Sequence, residues 1–174
     1  MDKINAISDV ILQSKRVVVF TGAGISTESG ISDFRSPGGI WERFDPNEFT
    51  YQKFLSSPVS REKSWEFSKS LWLTIANAEP NRGHYAIAEL YHMGRLDCVI
   101  TQNVDYLHQR SGVPEEKVIE LHGTTKWVIC LDCGKKYPRE QIQSRVESGD
   151  KAPKCDDCGG IMKPATISFG QPMP

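Results

Sequence analysis

Four of the five cysteines stand in two Cys-x-x-Cys pairs, Cys130/Cys133 and Cys155/Cys158, with 21 residues between the pairs. No other feature constrains the fold as strongly. Two such knuckles supply four thiolates that can close a tetrahedral site around one Zn²⁺. Gly134 and Gly159 follow the second cysteine of each knuckle and let backbone amides approach the sulfurs. Four protein ligands leave no position open for water or substrate. The spacing therefore predicts a structural ion holding a segment too small for a core of its own. Two disulfides, a redox pair and an iron–sulfur cluster are the alternatives. Met1-Asp2-Lys3-Ile4-Asn5 lacks the basic start and apolar stretch of a secretory signal, which predicts a reducing cytoplasmic location and argues against disulfides. Cys98 stands apart in an apolar strand and reads as a small buried hydrophobe.

The rest of the 174 residues suit one domain plus that small module. With 21 basic and 22 acidic side chains the net charge is −1, so nothing favours nucleic acid or an anionic membrane as partner. The longest apolar run, Trp127 to Leu131, is far below the roughly 20 residues of a membrane span.

Ile4, Ile7, Val10 and Ile11 recur at helical spacing, and the helix they predict runs to about Ser14. Val17-Val18-Val19-Phe20 follows as a strand apolar on both sides, suited to burial between helices in a parallel sheet. A long loop rich in Gly, Ser and Pro extends from Ser26 to Pro46, and loops of that length are usually functional. Phe54, Leu55, Trp65, Phe67, Leu71, Trp72 and Ile75 predict a helical layer over about 51–78. A helix begins at Pro80-Asn81 and stops at Gly94. Leu96–Ile100 and Val118–Leu121 are further strands, and 139–148 is a polar helix inside the cysteine segment. The fold class is α/β: a partial Rossmann-like parallel sheet with helices on both faces, a small four-cysteine zinc-ribbon module and a helical layer. The expected divisions are 1–125, with a helical insertion at about 41–78, then the zinc module at 126–163 and a return to the first domain at 164–174.

Polar residues gather where the predicted strands end: Gly22-Ala23-Gly24, then Gln102, Asn103 and Asp105, then His122. In open α/β sheets that edge binds ligands. The glycine turn permits close approach of backbone to a pyrophosphate. Thr27 stands where the usual dinucleotide fingerprint has its third glycine, which disfavours an ordinary Rossmann dehydrogenase. Asp33-Phe34-Arg35 sets an acid, an aromatic and a guanidinium side by side, each with a bland alternative as a salt bridge or core residue. His122, between a strand and Gly123, suits a general base at neutral pH. His84, His92 and His108 read as packing, surface or helix-face histidines.

Four segments in this order resemble the sirtuin (Sir2) family of NAD-dependent protein deacylases. They are Thr21-Gly22-Ala23-Gly24-Ile25-Ser26 through Gly30-Ile31-Ser32-Asp33-Phe34-Arg35, Thr101-Gln102-Asn103-Val104-Asp105-x-Leu107-His108, Leu121-His122-Gly123 with its cysteine pairs, and Lys163-Pro164 to Phe169-Gly170. The resemblance implies that NAD, consumed as a co-substrate, binds among Gly22, Ala23, Gly24, Ile25, Asp33, Phe34, Arg35, Gln102, Asn103 and Asp105. It implies catalytic roles for Ser26, Asn103 and Asp105 around the nicotinamide ribose and for His122 as base. In similar proteins the acyl-lysine carbonyl oxygen attacks the ribose carbon, nicotinamide leaves, and the base activates a ribose hydroxyl. Ile167 and Phe169 match the walls of the acyl-lysine tunnel. The implied partners are acetyl-lysine proteins or peptides.

In the family's desuccinylating subgroup a Tyr and an Arg bind the acyl carboxylate. Ser68 and Leu71 stand at those positions, so a short neutral acyl group is expected. Ser32 replaces a proline common in the family, and Gln171 a glutamate. Family members also continue past the position of Pro174, so the resemblance implies a truncated chain. The rivals to a deacetylase are an inactive truncated NAD-binding remnant, a mono-ADP-ribosyltransferase of the same family, and a non-enzymatic zinc-ribbon adaptor.

Overall fold

The computed structural model describes residues 2–173. Helix α1 (Lys3–Gln13) leads into strand β1 (Val17–Thr21), which breaks at Gly22 into a 3-10 segment, Ala23–Ser29. Gly30 closes that segment in the left-handed region at φ 82°. The helical layer follows: α2 (Ile40–Arg43), a 3-10 turn at Pro46–Phe49, α3 (Tyr51–Ser56) and α4 (Pro58–Asn77). Thr50 and Ser57 cap α3 and α4, and Pro58 occupies the first turn of α4, where its missing N–H costs nothing. Asn81 caps α5 (Arg82–His92), whose glycine stop at Gly94 has φ 67°. Then come β2 (Leu96–Thr101), α6 (Leu107–Arg110), β3 (Val118–Glu120), β4 (Gly123–Cys130), β5 (Lys136–Pro138), α7 (Arg139–Glu147) and β6 (Met162–Thr166).

Strands β1, β2 and β3 form a parallel sheet in that order, in register at Thr21↔Thr101 and Thr101↔Glu120. Strands β5, β4 and β6 form an antiparallel sheet, with β4 in the centre. The second sheet thus reaches from Gly123 to Thr166, and the segment after the cysteines returns as its edge strand.

Three apolar clusters hold these parts together. Ile87 and Ala88 of α5 pack on Leu96 and Val99 of β2. Phe54 and Trp65 of the helical layer join Val128, Tyr137, Ile142 and Met162 of the cysteine module. Ile31, Ile75, Ala78 and Leu107 tie the glycine-rich segment to α4 and α6. Two apolar patterns behave differently from the sequence expectation. On β1, one side faces the α5 cluster while Val18 and Phe20 remain 53% and 60% exposed, because the packing helix lies on one face of a three-stranded sheet. On α1, Ile4, Ile7 and Val10 are 61–69% exposed and no residue of the helix is buried.

Candidate active site

The parallel register brings the ends of β1, β2 and β3 to one level, and the chain turns there three times. After β1 the turn presents Gly22, Ala23 and Gly24; after β2, Gln102 to Asp105; after β3, His122. A cavity of about 730 Å³ opens against these turns, walled on its other sides by the helical layer and the segment after β6. Gly22, Ala23, Gly24, Ser26, Asp33, Phe34, Arg35, Gln102, Asn103, Asp105, His122, Ile167 and Phe169 all line it. Ile25 does not; it packs against Gly83 and the β2 cluster instead.

Ser26, Asn103 and Asp105 are connected. The Ser26 hydroxyl, 1% exposed, donates to Asp105 Oδ2 at 2.7 Å. Asn103 Nδ2 donates to Ser26 Oγ and to the Gly22 carbonyl, each at 3.1 Å. Asp105 Oδ1 accepts from the Leu107 amide and caps the turn into α6. Charge and amide are therefore pre-oriented in a dry corner, the condition under which dipoles act most strongly.

His122 is partly buried, and its Nδ1 lies 2.9 Å from the Gln102 carbonyl. A carbonyl oxygen only accepts, so Nδ1 carries the proton and Nε2 is left as the basic nitrogen. The residue is held from both sides. Its carbonyl accepts from Ile167 N at 2.8 Å, and Gly123 beside it sits at φ 72°, where a Cβ would meet the Ala165 carbonyl oxygen at 2.1 Å.

Asp33 folds its own loop. Its Oδ1 accepts from the Arg35 and Ser36 amides at 3.0 and 2.8 Å, and its Oδ2 from Ser36 Oγ at 2.5 Å. The hydroxyl and amide of Ser36 hold the Asp33 carboxyl below its usual pKa. Gln171 has a local role that its sequence position did not reveal. Its side-chain oxygen accepts from the Ser168 amide and closes the turn after Phe169. Phe169 in turn bridges to Thr50, which joins the cavity wall to the helical layer.

Sequence reasoning missed several lining residues: Phe49, Thr125 and Lys163. Lys163 is 3% exposed, and burial brings its amine down to about 8; its Nζ donates to the Pro164 and Thr166 carbonyls. A lysine beside a proline carries no pattern signal for such burial. His84 and His108, read as packing, surface or helix-face residues, are fully buried 5.0 Å apart between ring centroids. The Thr21 hydroxyl donates to Thr101 Oγ1, so His108 Nε2, 2.8 Å away, donates to Thr21 and ties the two strand ends from behind.

The four sulfurs of Cys130, Cys133, Cys155 and Cys158 lie within 4.8 Å of one another. Cys130–Cys158 and Cys133–Cys155 separations are 3.5 and 3.7 Å. Zn–S bonds of about 2.3 Å at tetrahedral angles put sulfurs roughly 3.8 Å apart, so the cluster fits one zinc ion. Among the described residues no helix is long and apolar enough to cross a membrane.

A mixed α/β chain with a polar crevice at the parallel strand ends belongs to the class of open α/β proteins that bind ligands at that edge. The chain belongs to the Sir2 family, whose model matches residues 22–174. It is 47% identical over 173 residues to the NAD-dependent protein deacetylase of Thermodesulfovibrio yellowstonii, covering 99% of this chain and 66% of that protein. With NAD-dependent protein deacetylase 1 of Bradyrhizobium diazoefficiens it shares 48% identity over 171 residues, covering 98% and 66% of the two chains. The chain therefore spans slightly under two thirds of the length of these curated relatives. A solved complex of Sir2 with p53 peptide and NAD⁺ superimposes with a TM-score of 0.87 at 39% identity, covering 99% of this chain and 67% of that one. A structure from work on the mechanism and regulation of Sir2 enzymes gives 0.84 at 43% identity, with 99% and 67% covered.

Proposed function

We propose that this crevice carries out NAD-dependent deacetylation of lysine side chains in proteins, with transfer of the acetyl group to ADP-ribose and release of nicotinamide. The observation that carries the reading is His122, whose Nδ1–H is committed to the Gln102 carbonyl and whose Nε2 is free to take a proton beside the Ser26–Asn103–Asp105 corner. NAD⁺ supplies the electrophilic ribose carbon and the cationic leaving group. The glycine turn, Asp33, Phe34, Arg35 and Gln102 receive the dinucleotide, and Ile25 supports that turn from beneath. Asn103 and Asp105 orient the nicotinamide ribose and stabilise developing charge, with Ser26 fixing Asp105. His122 Nε2 accepts the ribose hydroxyl proton once the acyl oxygen is attached. Ile167 and Phe169 wall the path of the acyl-lysine, and the peptide backbone adds beside an extended segment.

The zinc ion is structural. Its four cysteines would keep β4 and β6 in place and with them the segment 167–171, while supplying no open coordination site. Four thiolates held as metal ligands suit a reducing compartment such as the cytoplasm.

Nicotinamide release from NAD⁺ with an acetyl-lysine peptide tests the reading. Wild type is expected to turn over and His122→Ala to lose about 10²- to 10⁴-fold, the usual contribution of a positioned base. Equal turnover by both proteins would remove His122 from the chemistry.

A further inference from the structure

Among the described residues, Tyr106 is the one residue other than glycine with a positive φ, at φ 63° and ψ 16°. That left-handed region suits glycine, and a bulky L-residue placed there is strained. Strain of this kind survives only where the surroundings over-determine it. Tyr106 separates Asp105 from Leu107, which gives its conformation a consequence. The turn points the Leu107 amide back at Asp105 Oδ1, 3.0 Å away, while Asp105 Oδ2 accepts from the Ser26 hydroxyl and Ser26 Oγ accepts from Asn103. With a negative φ at Tyr106 the Leu107 amide would point elsewhere, and the carboxylate would lose a donor that aims it.

The turn is held from β4, the central strand of the cysteine module's sheet. Thr125 fixes the residue before Asp105: its amide and its hydroxyl both donate to the Val104 carbonyl, at 3.0 and 2.7 Å. Lys126 holds Tyr106 itself. Its ammonium donates to the Tyr106 hydroxyl at 3.0 Å and lies 4.4 Å from the ring centroid. Glu115, 3.4 Å away, anchors the same ammonium from the turn before β3. The ring therefore cannot swing away without losing both a charge-assisted hydrogen bond and a cation–π contact. On the other side of the turn Leu107 is 0% exposed, so the chain is pinned after Tyr106 as well. Neither Tyr106 nor Lys126 lines the cavity, so any effect on the chemistry passes through the residues that do.

We propose that Lys126 is a positioning residue: by locking Tyr106 in the left-handed state it keeps Asp105, and through Ser26 also Asn103, aimed at the nicotinamide ribose. This rests on the deacetylation reading above and adds a route by which the cysteine module, through β4, acts on the strand-end site.

The test uses Lys126→Met, which keeps the apolar stem and removes the donor, Tyr106→Gly, which removes the strain because glycine takes positive φ freely, and the double variant. Cα and Cβ chemical shifts of Tyr106 in isotope-labelled protein without NAD⁺ report its backbone state independently of turnover. Nicotinamide release gives kcat and the KM for acetyl-lysine peptide. Wild type is expected to show left-handed shifts, and Lys126→Met shifts averaged toward negative φ. The kcat of Lys126→Met should fall by about tenfold or more, the order that a misplacement remote from the reacting atoms produces, with little change in KM for the peptide. Tyr106→Gly should turn over at close to the wild-type rate, and adding Lys126→Met to it should change nothing. A lysine that only stabilised the fold would slow the double variant as much as the single one. An unchanged kcat in Lys126→Met, a Tyr106 that stays left-handed without the lysine, or a double variant as slow as Lys126→Met each overturns the proposal and leaves deacetylation standing. Absence of turnover in wild type overturns both readings together.

Discussion

Replacing Gly123 by alanine probes how the cysteine module holds His122 in the crevice. The position has φ 72°, and a Cβ there would lie 2.1 Å from the Ala165 carbonyl oxygen and 3.1 Å from its carbon. A left-handed non-glycine residue costs about 1–2 kcal/mol. The backbone of β6 must also retreat by roughly 1 Å to restore ordinary contact, which strains the Gly123↔Thr166 pairing and the Ile167 N–His122 O bond at 2.8 Å. Losing that bond adds about 1 kcal/mol. The total is about 2–3 kcal/mol, or a urea midpoint lowered by about 1–1.5 M for a slope near 2 kcal/mol/M. Gly94 provides the control, since it has φ 67° with nothing within 4 Å, so Gly94→Ala carries the backbone cost alone. Urea titration followed by tryptophan fluorescence measures both variants. Nicotinamide release reports whether His122 has moved. If Gly123→Ala is no less stable than Gly94→Ala, the close packing of β6 on this turn is refuted.

Chelation should strip one zinc per chain and destabilise the 123–166 sheet cooperatively, read as loss of metal by emission spectroscopy alongside loss of its amide protection; a chelated protein with unchanged protection would contradict a structural role. The buried His108 is held down to about 4, chiefly by burial, below its ordinary value of 6.5. The unfolded chain therefore binds an extra proton first, so stability falls as pH drops from 6.5 towards 4, by about 3 kcal/mol across the window. Denaturation midpoints for wild type and His108→Gln should diverge in that range, and parallel pH curves would rule the histidine out. Ser26→Ala leaves Asp105 without its hydroxyl donor and Asn103 Nδ2 with one acceptor fewer. Nicotinamide release should fall at least tenfold with a stability loss of about 1–2 kcal/mol, and an unaltered rate would show that Asp105 needs no fixing.

The cavity lining and the thiol cluster were legible in the sequence wherever a strand end or a fixed spacing sets the chain position. The glycine turn, Asn103, Asp105, His122 and the cysteine spacing all belong to that group, and each turn follows a strand that alternation or β-branching announces. Residues that reach the cavity through tertiary packing left no such trace. Arg139 opens a helix whose polar sequence gives no sign of burial, yet two tryptophans from α4 flank its guanidinium. Lys163 and the His84–His108 pair are likewise buried by elements distant in sequence. The apolar periodicity of α1 announced the helix correctly but not its exposure, because periodicity specifies a face and says nothing of what packs there. The burial predicted on both sides of β1 failed for the same reason.

The proposed chemistry requires residues near 22–35, 102–105 and 122 to face one dinucleotide-sized cavity, with the His122 Nδ1 proton held by the Gln102 carbonyl. Nitrogen-15 spectra of histidine-labelled protein titrated with NAD⁺ test this directly. The prediction is a His122 whose Nδ1 carries the proton donated to the Gln102 carbonyl and whose Nε2 resonance moves on addition of NAD⁺, while exposed His92 at the end of α5 stays still. A proton on Nε2, or a His122 signal indifferent to NAD⁺, would contradict it.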